Sequence, residues 1–370
     1  MKEKKIGRIL ILVAFFVMCF LNVIYFVAGR FIDSKNYENR NMAEKPSFTM
    51  EGYADFSKQY TAYYNDNLPF RRKLITLNSE IDLFVFNRAS NDSVVIGKDN
   101  WLFYKTKKED NPIADYRGQN LYSDEELKKI ADNCIKQRDY VENHGGEFVI
   151  FIAPNKERVY SEYMPDFYGK PAENYRVKQV YDYLKENTDI RIVYPYQELM
   201  EAKEKTGYYL YYKTDTHWNS VGAYIGSVAL LKELGIEMPS VYSDEINIEA
   251  CNNTAGDLAN MLNLREQLAD TDGVYRVSGY DEHNTENVEY DYTGMISYHS
   301  ENADTRRILI LRDSFCVGMA PYIGSQFNDS YMFHRNYYTY QQYLDADPDI
   351  VVFQVVERYV DSLGTFSIEK

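Results

Sequence analysis

The sequence predicts an α/β protein, a three-layer α/β/α sandwich around a mainly parallel sheet, preceded by one N-terminal transmembrane helix. Three observations carry that prediction. Short, almost wholly apolar runs, FVIFIA (148–153), IRIVY (190–194), ILIL (308–311) and IVVFQVV (350–356), recur along the chain. Helix-like stretches separate them. Strands apolar on both faces belong to parallel sheets covered by helices on each side. Third, Ile9 to Ala28 is a 20-residue apolar run broken only by Asn22, the length of a membrane-spanning helix.

The N-terminal flank carries Lys2, Lys4, Lys5 and Arg8 against Glu3. Positive flanks stay in the cytoplasm, which puts the chain from about residue 30 onward outside the cell membrane, with the run as a single-pass anchor. A cleaved signal peptide is the alternative, although its apolar core would be shorter. The predicted organisation is an anchor over 1–30, a membrane-proximal extension over 31–115, and a catalytic domain over 116–370. Within the extension, Pro46 and the charged string ENRNMAEKPSF suggest a stalk. Phe70, Leu74, Leu77, Ile81 and Phe84 step by four and three, one face of a helix after Pro69. The turn Gly97 to Asn100 between two apolar runs reads as a β-hairpin over 94–104.

In the catalytic domain, Ser123 with Glu126 has the form of a capping box opening a helix that ends at His144-Gly145-Gly146. Helices are predicted over 173–187 and 220–234, and a short strand over 331–333. Acidic residues outnumber basic ones 56 to 41, for a net charge of −15, which argues against a nucleic-acid partner. The first eight residues are net basic, so the remainder is more acidic still, and a strongly anionic polymer would be repelled. Beyond the anchor stand Cys134, Cys251 and Cys316, enough for at most one bridge. No CxxC or HExxH spacing suggests a metal, and the motifs require no cofactor.

Two features carry chemistry. Ser314 follows the strand ILIL directly, in LRDSF, where a nucleophile of an α/β sheet would sit; a turn serine capping the next helix is the plain alternative. In TDTHW, Asp215 and His217 are two apart on an irregular segment. A short loop can therefore supply both an imidazole base and the carboxylate that orients it. A helix cap beside a packed histidine is the plain alternative there, and His334, after the strand YMF, is the rival base. Arg312 and Asp313 read as a surface pair or turn. Lys156 lies at another strand end, either lining the site or exposed in a loop. Glu357-Arg358, after the last strand, reads as a charge-assisted brace.

TDTHW, GDLANM (256–261), LRDSF and DPDIVVFQVVERY (347–359), with ENRNMAEKP and NDNLPFRRK upstream, together resemble the alginate-acetylation type (AlgX/AlgJ-like) of SGNH-hydrolase-like proteins and the related DHHW family. A DHHW member would carry a second His at Thr216. The resemblance implies an SGNH-like fold and an extracytoplasmic O-acetyltransferase acting on an exopolysaccharide or cell-wall glycan. It implies Ser314 as nucleophile, His217 as base and Asp215 as orienting acid. The pair precedes the serine by 97 residues, a circularly permuted order for an SGNH protein, and triads depend on geometry rather than chain order. The acetyl donor would come from a membrane-bound O-acyltransferase. An acetyl esterase on the same glycans and a non-catalytic glycan-binding protein are the alternatives. Lys156, Trp218, Tyr209, Tyr212 and Arg312 are the candidate substrate contacts. Tyrosine numbers 36, and YYLYY (208–212) directly before Asp215 suggests an aromatic wall for a glycan or half-core packing.

Overall fold

The computed structural model describes residues 9, 11–17, 19–20, 42–48, 53–67, 71–106, 108, 111–252, 254–269 and 273–369. Contacts divide the chain into two units, Met1–Ile81 and Asp82–Lys370. Most of the predicted anchor, residues 21–28 included, lies outside the described residues. Among those described, no helix is long and apolar enough to cross a membrane.

In the smaller unit a helix spans Tyr53–Asp66, and Ala43 N donates to Asp66 Oδ2 at 2.8 Å. A second helix spans Arg71–Glu80. The apolar stripe predicted from Phe70 onward is not a buried face: Leu74 and Leu77 are exposed, and Phe70 lies outside the described residues.

The larger unit holds the chemistry. Its first strands are β1 (Val94–Ile96) and β2 (Leu102–Tyr104), the predicted hairpin. The hairpin packs within this unit: Trp101 is fully buried, its ring stacked on Tyr160 at 4.3 Å. Helix α1 (Asp124–Asn143) starts with the predicted capping box, in which Ser123 Oγ accepts from Glu126 N and Glu126 Oε2 accepts from Ser123 N. It ends at Gly145, whose φ of +86° suits the left-handed turn that stops a helix. Then follow β3 (Glu147–Ala153), α2 (Arg176–Asn187), β4 (Arg191–Val193), α3 (Ser220–Glu233), β5 (Asn247–Ala250), β6 (Tyr275–Ser278), β7 (Thr285–Tyr290), β8 (Met295–Ser300), β9 (Asp304–Arg312), α4 (Cys316–Gly324), β10 (Phe327–His334) and β11 (Ile350–Val356).

Seven strands form one sheet in the order β4-β3-β11-β9-β10-β8-β7. The first five run parallel, and β8 and β7 add an antiparallel edge. Successive side chains point to opposite faces of a strand, and both faces here are covered. Val149, Phe151, Ile308, Ile310 and Val352 pack with α3 and α4, while Phe148, Ile150, Leu309, Leu311 and Val351 pack with α1 and α2. Each such side chain, fully buried, contributes about 1.5–3 kcal/mol. This is the predicted sandwich, with the parallel strand ends all on one side.

Strands β5 to β8 fall between 234 and 304, where the sequence pattern predicts no element. In β7 no side chain is buried, so no apolar alternation marks it. All four cysteines are free, with Cys134 and Cys316 buried.

Candidate active site

Ser314 stands two residues past the end of β9, and Asp313 shapes the turn. The Asp313 carboxylate is buried and accepts from Val356 N at 2.6 Å, Phe315 N at 2.9 Å and Gln354 Nε2 at 2.9 Å. Its own N–H donates to Gln354 Oε1 at 3.0 Å. Charge-assisted bonds to a buried carboxylate are among the stronger ones in proteins, and here they tie the Ser314 turn to β11. The expectation of a surface pair of Arg312 with Asp313 is therefore corrected. Both are buried, Asp313 bonds the neighbouring strand, and Arg312 donates to backbone carbonyls, including Tyr292 O at 2.9 Å.

The Asp215–His217 segment reaches Ser314 from 97 residues away. His217 Nε2 lies 2.8 Å from Ser314 Oγ, and His217 Nδ1 lies 2.6 Å from Asp215 Oδ1. Asp215 Oδ1 also accepts from His217 N at 2.9 Å, a local turn that fixes the carboxylate against its own imidazole. Burial pushes the Asp215 carboxyl up, but the hydrogen bonds and charge of His217 outweigh it and hold the group at about 2. Asp215 is therefore ionised at neutral pH, as an orienting acid must be. The rival base His334 caps its own turn, accepting from Asn336 N at 3.3 Å.

Few regular ladder bonds support this segment, so its polar groups find other partners. Thr214 O accepts from Leu258 N and Ala259 N, and Thr214 Oγ1 accepts from Gly256 N. Asp215 Oδ2 accepts from Asp257 N at 2.8 Å. Asp257 in turn accepts from Thr216 N at 2.8 Å and Thr216 Oγ1 at 2.7 Å. Burial first, and then the Asp215 charge, raises the Asp257 carboxyl. The GDLANM motif is thus a brace for the Asp215–His217 segment. Its glycine has a specific cause: a Cβ at Gly256 would lie 2.2 Å from Asp215 Cβ. Donor atoms of Asp215, His217 and Asp257 lie within 4.8 Å of one another, close enough for a cation. Each is already engaged in these hydrogen bonds, so the set reads as a braced imidazole.

Three of the candidate substrate contacts are enclosed. Lys156 is 2% exposed, and its Nζ donates to the carbonyls of Leu102, Lys213 (2.9 Å) and Asp215 (2.8 Å). Trp218 is 3% exposed, and its Nε1 donates to Phe315 O at 2.9 Å. Arg312 is fully buried. These side chains hold the backbone on both sides of the Ser–His contact. Of the tyrosine run, Tyr211 is core, with its hydroxyl donating to Pro154 O, while Tyr209 and Tyr212 are partly buried; Tyr212 N donates to His217 O at 3.3 Å. Glu357 pairs with Arg158 across the ends of β11 and β3 at 3.0 Å, rather than with its neighbour. Arg358 instead lies over the Phe315 ring at 5.4 Å.

One residue of this brace goes beyond the sequence reading: Asp257 stands in the GDLANM motif, which gives it no role of its own.

Comparison with known proteins places this geometry. Residues 94–288 match the family described as "SGNH hydrolase-like domain, acetyltransferase AlgX", a range that includes Asp215 and His217 and stops short of Ser314. The protein named "Probable alginate O-acetylase AlgJ" of Pseudomonas putida is 29% identical over 213 residues, 56% of this chain and 51% of that protein. Its namesake of Pseudomonas syringae pv. tomato is 29% identical over 216 residues, with 56% and 51% covered. The chain thus spans about half the length of these curated relatives. Among solved structures, Bacillus cereus PatB1 with a sulfonyl adduct superimposes with a TM-score of 0.53 at 14% identity, covering 75% of this chain and 100% of that one. A DHHW family protein of Eubacterium siraeum gives 0.50 at 16% identity, with 74% and 96% covered. At such identities the likeness is one of fold.

Proposed function

The chain belongs to the SGNH hydrolase-like, AlgX-type acetyltransferase family, and from that premise we propose that it is an extracytoplasmic O-acetyltransferase. It moves an acetyl group through an acetyl-serine onto hydroxyls of a polysaccharide. The single observation that supports this most is the unbroken chain of contacts from Ser314 Oγ to His217 Nε2 and from His217 Nδ1 to Asp215.

Ser314 is the nucleophile, His217 the general base and Asp215 the orienting carboxylate. His217 Nε2 takes the Ser314 proton as Oγ forms a bond to the acetyl carbonyl carbon. The bond to the donor's leaving group breaks, and His217 returns the proton to that group. A sugar hydroxyl then enters, gives its proton to His217 and attacks the acetyl-serine. The ester passes to the sugar, and the proton returns to Ser314. The Ser314 N–H stabilises the oxyanion in both steps. Membrane attachment through the N-terminal run, with the catalytic unit outside the cell, would let a membrane-bound O-acyltransferase supply the donor. The acidic balance of the chain favours a neutral or weakly charged glycan over a polyuronate.

The test supplies purified protein with p-nitrophenyl acetate, with and without oligosaccharides, and follows nitrophenol release and acetylated sugar. Acetylated sugar is expected, and free acetate alone would make the protein a hydrolase. Ser314→Ala and His217→Ala are each expected to lower turnover by about 10⁴-fold or more. Unchanged turnover in both would overturn the assignment.

A further inference from the structure

We propose that Arg335 and Arg358, whose guanidiniums lie over the ring of Tyr359, form a binding site against the Ser314 turn for a carboxylate carried by the acceptor glycan. The inference rests on the acetyl-serine reading above and adds the charge of its acceptor.

The two side chains come from the strands on either side of β9, in the order β11-β9-β10. Arg335 follows β10, and its N–H donates to Arg312 O at 2.9 Å, on the strand that leads to Ser314. Arg358 follows β11, and its Cζ lies 5.4 Å from the ring centre of Phe315, the residue after Ser314. That ring lies 4.9 Å from the His217 imidazole. Tyr359 joins the two arginines, with Arg335 Cζ 4.9 Å and Arg358 Cζ 5.1 Å from its ring centre. Both cations therefore stand at the C-terminal ends of parallel strands, where α/β sheets bind their ligands.

A missing counter-charge marks this pair. Other enclosed arginines have their partners: Arg158 pairs with Glu357 at 3.0 Å, Arg176 Nη2 lies 2.9 Å from Asp115 Oδ2, and Arg312 donates to carbonyls. Arg335 and Arg358 form no ion pair among the described residues, and the Nε of each is buried with no hydrogen-bond partner there. Arg358 is only 7% exposed. Burying a guanidinium without a counter-ion is costly, and the faces of Tyr359, Phe315 and Tyr104 offset only part of that cost. Asp313 does not serve, because its carboxylate already accepts from Val356 N, Phe315 N and Gln354 Nε2. An incoming carboxylate supplies what is missing, since a guanidinium presents a planar fork that matches its two oxygens. Arg335 and Tyr359 are half-buried, which keeps the pair within reach of a ligand from solvent. The net charge of −15 repels a polymer charged at every sugar, whereas two cations in one place suit a glycan with isolated acidic sugars.

The experiment titrates the full chain calorimetrically with methyl glucuronoside and with methyl glucoside, which differ by one carboxylate. The glucuronoside is expected to bind about tenfold tighter or more, the scale of hydrogen bonds to a charged group. Arg335→Gln, at a half-buried position, is expected to bring the two affinities within about twofold of each other. Arg358→Gln is expected to do the same where its melting temperature shows a folded protein. Glucuronoside that binds no tighter than glucoside, or a preference that Arg335→Gln leaves intact, overturns the proposal, whatever becomes of the buried variant. Transfer from p-nitrophenyl acetate, an uncharged donor, then assigns the carboxylate to its source. The glucuronoside is expected to collect acetyl in preference to the glucoside. Glucuronoside that instead only competes with the donor, and is not acetylated, overturns the acceptor assignment. Parent protein that keeps the binding preference but turns over no acetyl ester overturns the transferase reading instead, so the two failures are distinguishable.

Discussion

Ser314 stands just past a strand buried on both faces, whereas Asp215 and His217 stand on a segment that makes only a single isolated bridge, from Trp218 to Tyr211. The two sides of the site are therefore held by different physics. Strand register and apolar packing bring the serine to its place, and one buried carboxylate, Asp313, closes the turn against β11. The base side must hold two side chains in a fixed relation without a ladder, so it relies on side-chain hydrogen bonds from Thr214, Asp257 and Lys156. Packing is shared by the whole domain, while such bracing serves the site alone. Damage to the serine side should appear first in stability, and damage to the base side first in turnover.

The largest expected effect that separates the two is Asp313→Ala. It leaves Val356 N, Phe315 N and Gln354 Nε2 without their acceptor, and should destabilise the fold by about 3 kcal/mol in urea titration. A loss of turnover with full stability would break the comparison. On the base side, Gly256→Ala forces a Cβ into Asp215. Turnover should fall by about 100-fold, close to 2.7 kcal/mol, for a change in stability well below that of Asp313→Ala.

Acid sharpens the contrast further. Asp215 is held at about 2 against a usual 3.8, a folded-state value below the unfolded one. Its contribution, about 2 kcal/mol, is present above pH 4 and is lost as pH falls toward 2. Urea midpoints taken from pH 5 to pH 2 should fall less steeply in Asp215→Asn than in the parent, and parallel curves would count against the assignment. The smallest effect is that of Asp257→Asn, which weakens the brace on Thr216 and removes a charge beside the imidazole. A roughly tenfold drop in kcat is expected, about 1.4 kcal/mol, with stability nearly unchanged.

Much of the site was legible because its signals are local. An apolar run leading straight into Ser314 marks a strand end, and two residues between Asp215 and His217 suit one loop. Their meeting across 97 residues was not read from spacing; it came from a family resemblance, and the structure brings the three side chains together at 2.6 and 2.8 Å. The corrections share one origin. The sequence reads Arg312 and Asp313 as a surface pair or turn and Lys156 as lining the site or exposed, because a charge at a strand end usually meets water. Here the β7–β8 turn receives Arg312, β11 receives Asp313, and carbonyls of the hairpin and base segments receive Lys156.

Local pattern by itself determined that the chain builds a parallel sheet covered on both faces, since β3, β9 and β11 carry apolar side chains at consecutive positions and can bury them no other way. It also determined where a serine and an Asp-His pair could serve chemistry. Only the tertiary structure decided which polar side chains became buried struts, Lys156, Arg312 and Asp313 among them. Enclosure depends on segments distant in sequence closing over a strand end, and nothing in the periodicity of β7, with no side chain buried, announces that it will do so.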